Sequence, residues 1–105
     1  MNIFDRVSKQ EANLYRIKLL ALAHPDINAL GEPIIVYGEK PMIRFILASE
    51  QAALKFCSNH RDGKWKWNHA DADPREFQGV IDGVEIVIEA RKTPKGFRPM
   101  FERVA

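Results

Sequence analysis

The sequence predicts an α+β fold: a single small domain ordered α-β-β-α-β-β-β, with two helices packing an antiparallel sheet of four or five strands. Three observations carry this. A capped, helically periodic run lies near the start, an Asp82-Gly83 turn separates two strand-like runs near the end, and 46% of the 105 residues are hydrophobic. That content, with 6 Phe, 2 Trp and 2 Tyr, is enough for a core that needs neither disulfide nor metal to fold. The domain spans residues 1–105, with residues 93–105 an extended terminal segment or a last short strand.

Ser8-Lys9-Gln10-Glu11 has capping-box chemistry, in which Ser8 accepts from a free N–H of the first turn and Glu11 reaches back. The helix then runs to about Ala23, with Leu14, Ile17, Leu20 and Ala21 on one side. Tyr15, Leu19 and Leu22 widen that stripe, which predicts a well-buried second half. His24-Pro25 stops the helix, because the residue before proline is pushed away from helical geometry. A loop from Asp26 to Pro33 follows. Ile34-Ile35-Val36-Tyr37 reads as a short strand, Gly38-Glu39-Lys40-Pro41 as a turn, and Met42 to Ala48 as the returning strand, whose Arg44 marks a partly exposed face. Ser49 caps a second helix, about Glu50 to Asn59, with Ala53, Phe56 and Cys57 inward. Lys64 to Ala70 is the third strand, and a loop passes Pro74. Phe77 to Ile81 and Val84 to Ala90 flank Asp82-Gly83, a dipeptide favoured in two-residue type I′ hairpins. In the last strand Val84, Ile86 and Ile88 alternate with Glu85, Val87 and Glu89, as a sheet with one wet face requires. The hairpin or the strand at Ile34 could present an unpaired edge, which leaves a homodimer open, with Glu85 and Glu89 as edge protection.

The net charge of +2 is too balanced for a strong global field, but the charges are segregated along the chain. Residues 55–67 are basic, residues 71–89 acidic and residues 91–103 basic again. Such blocks point to intramolecular pairing or to a two-signed binding surface. One cysteine excludes an intramolecular disulfide and suits a reducing compartment. With no signal-peptide core, and no apolar run near the ~20 residues a bilayer span needs, the expectation is a cytoplasmic protein with no membrane association.

Lys64-Trp65-Lys66-Trp67 is the sharpest local signal. In an extended segment both indoles share one face and both lysines the other. Exposed, they would form a stacking platform for single-stranded nucleic acid. Buried, they belong to the core, which the usual burial of Trp favours. Arg91, Lys92, Lys95 and Arg98 can contact phosphates, or can be the solvated end of a hairpin. Cys57, His60, His69, Asp71 and Asp73 are the only set with metal-ligand chemistry, and they lack the short repeated spacing of structural zinc sites. Cys57 with His60 could form a thiolate–imidazole pair only if both reached one cleft. His24-Pro25-Asp26 is a helix stop and a turn. No glycine run has phosphate-loop spacing, and no cofactor is implied.

The expected function is therefore non-enzymatic: an inhibitor- or adaptor-type interaction protein, of the small accessory kind found in bacteria and their phages or mobile elements. It binds a protein partner through its charge-segregated surface. The alternative is nucleic-acid binding through residues 64–67 and 91–98, and a small metal- or Cys-dependent enzyme carries least weight.

Overall fold

Asn2 starts the first helix, two turns before the expected cap at Ser8. In the computed structural model, which describes residues 2–68 and 74–90, the Asn2 side-chain oxygen accepts from the Asp5 N–H at 2.8 Å. Helix α1 (Ile3–Ala23) therefore has 21 residues. Among the described residues, no helix is long and apolar enough to cross a membrane. Helix α1 stops at His24 as expected, but Pro25 then opens a one-turn helix, α2 (Pro25–Asn28), in place of a loop. Proline suits the first helical position, since its missing N–H has no partner there in any helix.

Strands β1 (Pro33–Val36) and β2 (Met42–Leu47) pair antiparallel. Ser49 caps α3 (Glu50–Asn59) through the Ala52 N–H at 3.2 Å. A 3-10 turn (Arg61–Gly63) leads to β3 (Lys66–Trp67), then β4 (Arg75–Ile81) and β5 (Val84–Ala90). Asp82 and Gly83 both take positive φ, 52° and 79°, as a type I′ turn demands. The third strand is shorter than expected. Lys64 sits in left-handed geometry at the end of the 3-10 turn, which keeps it out of the ladder. The expected strand residues 69 and 70 lie outside the described residues.

The sheet order is β1-β2-β5-β4-β3. It is mixed rather than wholly antiparallel, because β5 inserts beside β2 and runs parallel to it, Ile43 opposite Ile86 and Phe45 opposite Ile88. The chain between β2 and β5 includes α3 and two further strands, long enough for the crossover that parallel pairing needs. The β4–β5 hairpin thus lies inside the sheet, so Glu85 and Glu89 guard no edge. The outer strands are β1 and β3.

One sheet face carries the core. Ile43, Phe45, Phe77, Val84, Ile86 and Ile88 pack there beneath Ala53, Phe56 and Cys57 of α3, Ile17 and Leu20 of α1, and Ile27 of α2. The other face is polar at its centre. Arg44 donates to Glu76 at 2.8 Å and reaches Glu89 at 3.5 Å, separating two carboxylates that face each other across β4 and β5. Val87 is nonetheless buried among them.

Helix α1 departs from expectation in how it packs. Ile17 and Leu20 are buried, but Tyr15, Leu19 and Leu22 are exposed, so its second half is covered on one side only. Its first half meets the rest of the fold through polar groups. Gln10 and Asn13 donate to the Gly38 carbonyl, and Lys9 pairs with Glu39, which holds that carboxyl below its ordinary value.

Candidate functional site

The two indoles share the helix-side face of the sheet, as alternation requires, but have different fates. Trp65 is half-buried. Its indole N–H donates to the His60 carbonyl at 2.7 Å, and its ring stands edge-on to Phe56 at 5.7 Å. The ring also lies close against the chain at Gly63 and Gly79. A Cβ on Gly79 would stand 2.6 Å from the indole, and one on Gly63 would stand 2.8 Å from it. The absence of a side chain at these two glycines lets that ring approach, and Trp65 packs against the core. Trp67, at the free edge of β3, remains 53% exposed. It packs edge-on to Phe77 at 5.4 Å, with the Arg75 guanidinium 4.9 Å from its ring centre. Arg75 in turn pairs with Glu50 at the start of α3. Lys64 and Lys66 are exposed. Arg91, Lys92, Lys95 and Arg98 lie outside the described residues, so the second half of the expected basic surface is not placed.

Of the weak metal set, His69, Asp71 and Asp73 also lie outside the described residues. Among the described residues no three His, Cys, Asp or Glu side chains converge to hold a metal ion. Burial pushes the Cys57 thiol up to about 11, so it is not a thiolate at neutral pH.

His60 engages elsewhere. Its Nε2 meets the Asp26 carboxylate, while His24 Nε2 meets Asp82 Oδ2 at 2.8 Å. The two imidazoles stand edge-to-face at 5.4 Å, and Phe56 lies against His60. Partial burial opposes the charge on Asp26, but the hydrogen bond and electrostatic pull of His60 outweigh it and hold that carboxyl below its usual value. His24, His60 and Asp82 border an open cleft of about 470 Å³, also lined by Ser58, Arg61 and Asp62. The pairs tie the α1–α2 junction to the end of α3 and to the β4–β5 turn. Sequence reasoning missed the cluster because partners 34 and 58 residues apart carry no spacing signal.

The largest departure from an inert surface is apolar. Of twelve large hydrophobic side chains left exposed among the described residues, nine lie between Ile3 and Tyr37, on α1, β1 and the residue after β1. Strand β1 is an outer strand reading Pro33-Ile34-Ile35-Val36, with no charge. Between it and the two N-terminal helices runs an apolar groove of about 150 Å³, whose lining includes Ile17, Ala21, Ile27, Ile35 and Phe45. The opposite edge, β3, is two residues long, bears Lys66 and is overlaid by Arg75.

No family model, no curated protein and no solved structure matches the chain.

Proposed function

We propose that this chain is a non-enzymatic interaction protein of the inhibitor or adaptor type that takes an extended segment of a protein partner along β1. The observation that carries the reading is the contrast between the two sheet edges. Natural edges are blunted by very short length, charge, proline or cover. Edge β3 is two residues long, bears Lys66 and is overlaid by Arg75, whereas β1 has Pro33 at its start and then offers the uncharged Ile34, Ile35 and Val36 beside an apolar groove. A strand added there gains main-chain hydrogen bonds, and its alternate side chains fall into the groove, which selects a partner segment with apolar residues at every second position. The charge-segregated surface contributes less to this reading, since Arg44, Glu76 and Glu89 pair with one another across the sheet and Arg75 pairs with Glu50. The lone cysteine fits action in the cytoplasm.

A photo-crosslinking side chain at Tyr37, 66% exposed at the end of this edge, tests it in cells that make the protein. The expected adduct contains a partner segment of alternating apolar pattern. It disappears when Ile35→Lys blocks the groove, and it does not form from the same probe at Lys66. An adduct indifferent to Ile35→Lys, or none from Tyr37, overturns the assignment.

The exposure of Trp67 favours one second reading, single-stranded nucleic-acid binding through Lys64, Lys66 and Trp67 together with residues 91–98. Trp67 is the more exposed indole in it, since Trp65 is partly buried against the core and donates its N–H to the His60 carbonyl. Stacking one base is worth about 1–3 kcal/mol, so Trp67→Ala is expected to weaken oligonucleotide binding by roughly 5- to 150-fold, with salt-sensitive affinity remaining. Fluorescence titration with a single-stranded oligonucleotide at low and high salt checks this, and an unchanged Trp67 emission discards the reading.

A further inference from the structure

We infer that the partner segment taken along β1 carries a carboxylate beside the apolar residue it places in the groove, and that Lys18 of α1 selects it. The inference rests on the reading of β1 as a docking edge and adds the charge of the partner to it. Ile27, Ile35, Ile43 and Phe45 give the groove its apolar lining. Two polar side chains, Lys18 and Asn28, interrupt that lining, and both residues are exposed. In a mostly apolar site, a few polar groups fix the orientation and the chemistry of what is bound.

Among the described residues Lys18 is the one charged group in the lining, and it makes neither an ion pair nor a hydrogen bond, not even with Glu32 just before β1. Its neighbours three and four places away on α1 are Leu14, Tyr15, Ala21 and Leu22, so no carboxylate shares its helix face. Other cations of the fold are engaged: Lys9 with Glu39, Arg44 with Glu76 and Glu89, and Arg75 with Glu50. A strand laid along β1 turns every second side chain to the groove side, at intervals of about 7 Å. An apolar residue seated in the groove and a carboxylate two places away therefore share that side. The long, flexible stem of Lys18 lets its ammonium meet the carboxylate. The Asn28 amide adds an uncharged donor at the same groove. The pattern selected is apolar-x-acidic, and a basic residue at the acidic place is rejected by like charge.

Selection from a random peptide library displayed on phage, with the purified full chain as bait, is the test. Enriched peptides should alternate apolar residues and carry Asp or Glu two places from one of them. Against Lys18→Glu protein, Lys or Arg should take that place, and against Lys18→Gln the charge preference should vanish. Arg16→Glu makes the same charge change on α1, at a residue that does not line the groove, and should leave the acidic preference intact. An acidic peptide from the selection should bind Lys18→Glu protein roughly 3- to 30-fold more weakly, and less so at high salt. Peptides that depend on Ile35 but show no acidic preference, or keep it in both Lys18 variants, overturn this inference and leave the β1 reading standing. Peptides indifferent to Ile35→Lys, or no enrichment at all, overturn both.

Discussion

Phe77→Ala is expected to remove about 3–5 kcal/mol of stability, out of the roughly 5–15 kcal/mol that a domain of this size possesses. The ring is fully buried in β4, opposite Ile88 of β5, and it carries the edge of Trp67 on its outer side. Its removal costs the transfer free energy of the ring and leaves a cavity beneath Trp67 and the Arg75 guanidinium, 5.3 Å from the Phe77 ring centre. Because β4 and β5 pair over seven residues, they cannot close that cavity without breaking the ladder. Urea unfolding should show the midpoint falling with little change in slope. Tyr15→Ala is the control, since an exposed residue on the far side of α1 should change stability by no more than about 0.5 kcal/mol. A loss under about 1 kcal/mol for Phe77→Ala would mean that the ring is not central to the core.

The contrast between those two aromatic residues shows what the sequence made legible. Local rules held at three places and failed at Ser8, whose capping-box chemistry lies inside a helix that Asn2 starts. Asp82-Gly83 needs two consecutive positive φ values, Ser49 supplies an oxygen to a free N–H, and Ala53, Phe56 and Cys57 fall on one face of α3. The same alternation placed both indoles on one face. Local rules could not tell which indole would be covered, because that depends on Gly63 and Gly79 lying beneath Trp65 while Trp67 ends at a sheet edge. Helix α1 failed for a related reason. It has apolar residues on two faces, and periodicity alone does not say which face meets the core. The choice is made by the Gly38 carbonyl, 25 residues from Asn13 and 28 from Gln10, which captures the polar side and leaves Phe4, Tyr15 and Leu22 outward. The parallel β2–β5 ladder and the two His–Asp pairs are likewise long-range, and no spacing along the chain announces them. Function follows the same division: the exposed apolar edge at β1 becomes visible only once β1 is known to be outermost.

Gly79→Ala is expected to destabilise the protein by about 1–3 kcal/mol, although it adds one methyl group and is ordinarily a favourable change of backbone entropy in a strand. The added Cβ would lie 2.6 and 2.7 Å from two indole carbons of Trp65 and 2.9 Å from the Gly63 carbonyl oxygen. No rotation of the methyl relieves these contacts, and one of them is to backbone. Either the indole leaves, losing its hydrogen bond to the His60 carbonyl and its packing on Phe56, or the 3-10 turn separates from β4. Either route exposes Trp65, so the fall in the urea midpoint should be accompanied by a red shift in tryptophan emission. Residues in direct contact do not behave additively. In the Trp65→Ala background the clash has no partner ring, and Gly79→Ala should then cost less than it does alone. Equal costs in the two backgrounds would show that the Trp65 ring does not rest on Gly79, and would return this indole to the pool of side chains free to bind a ligand.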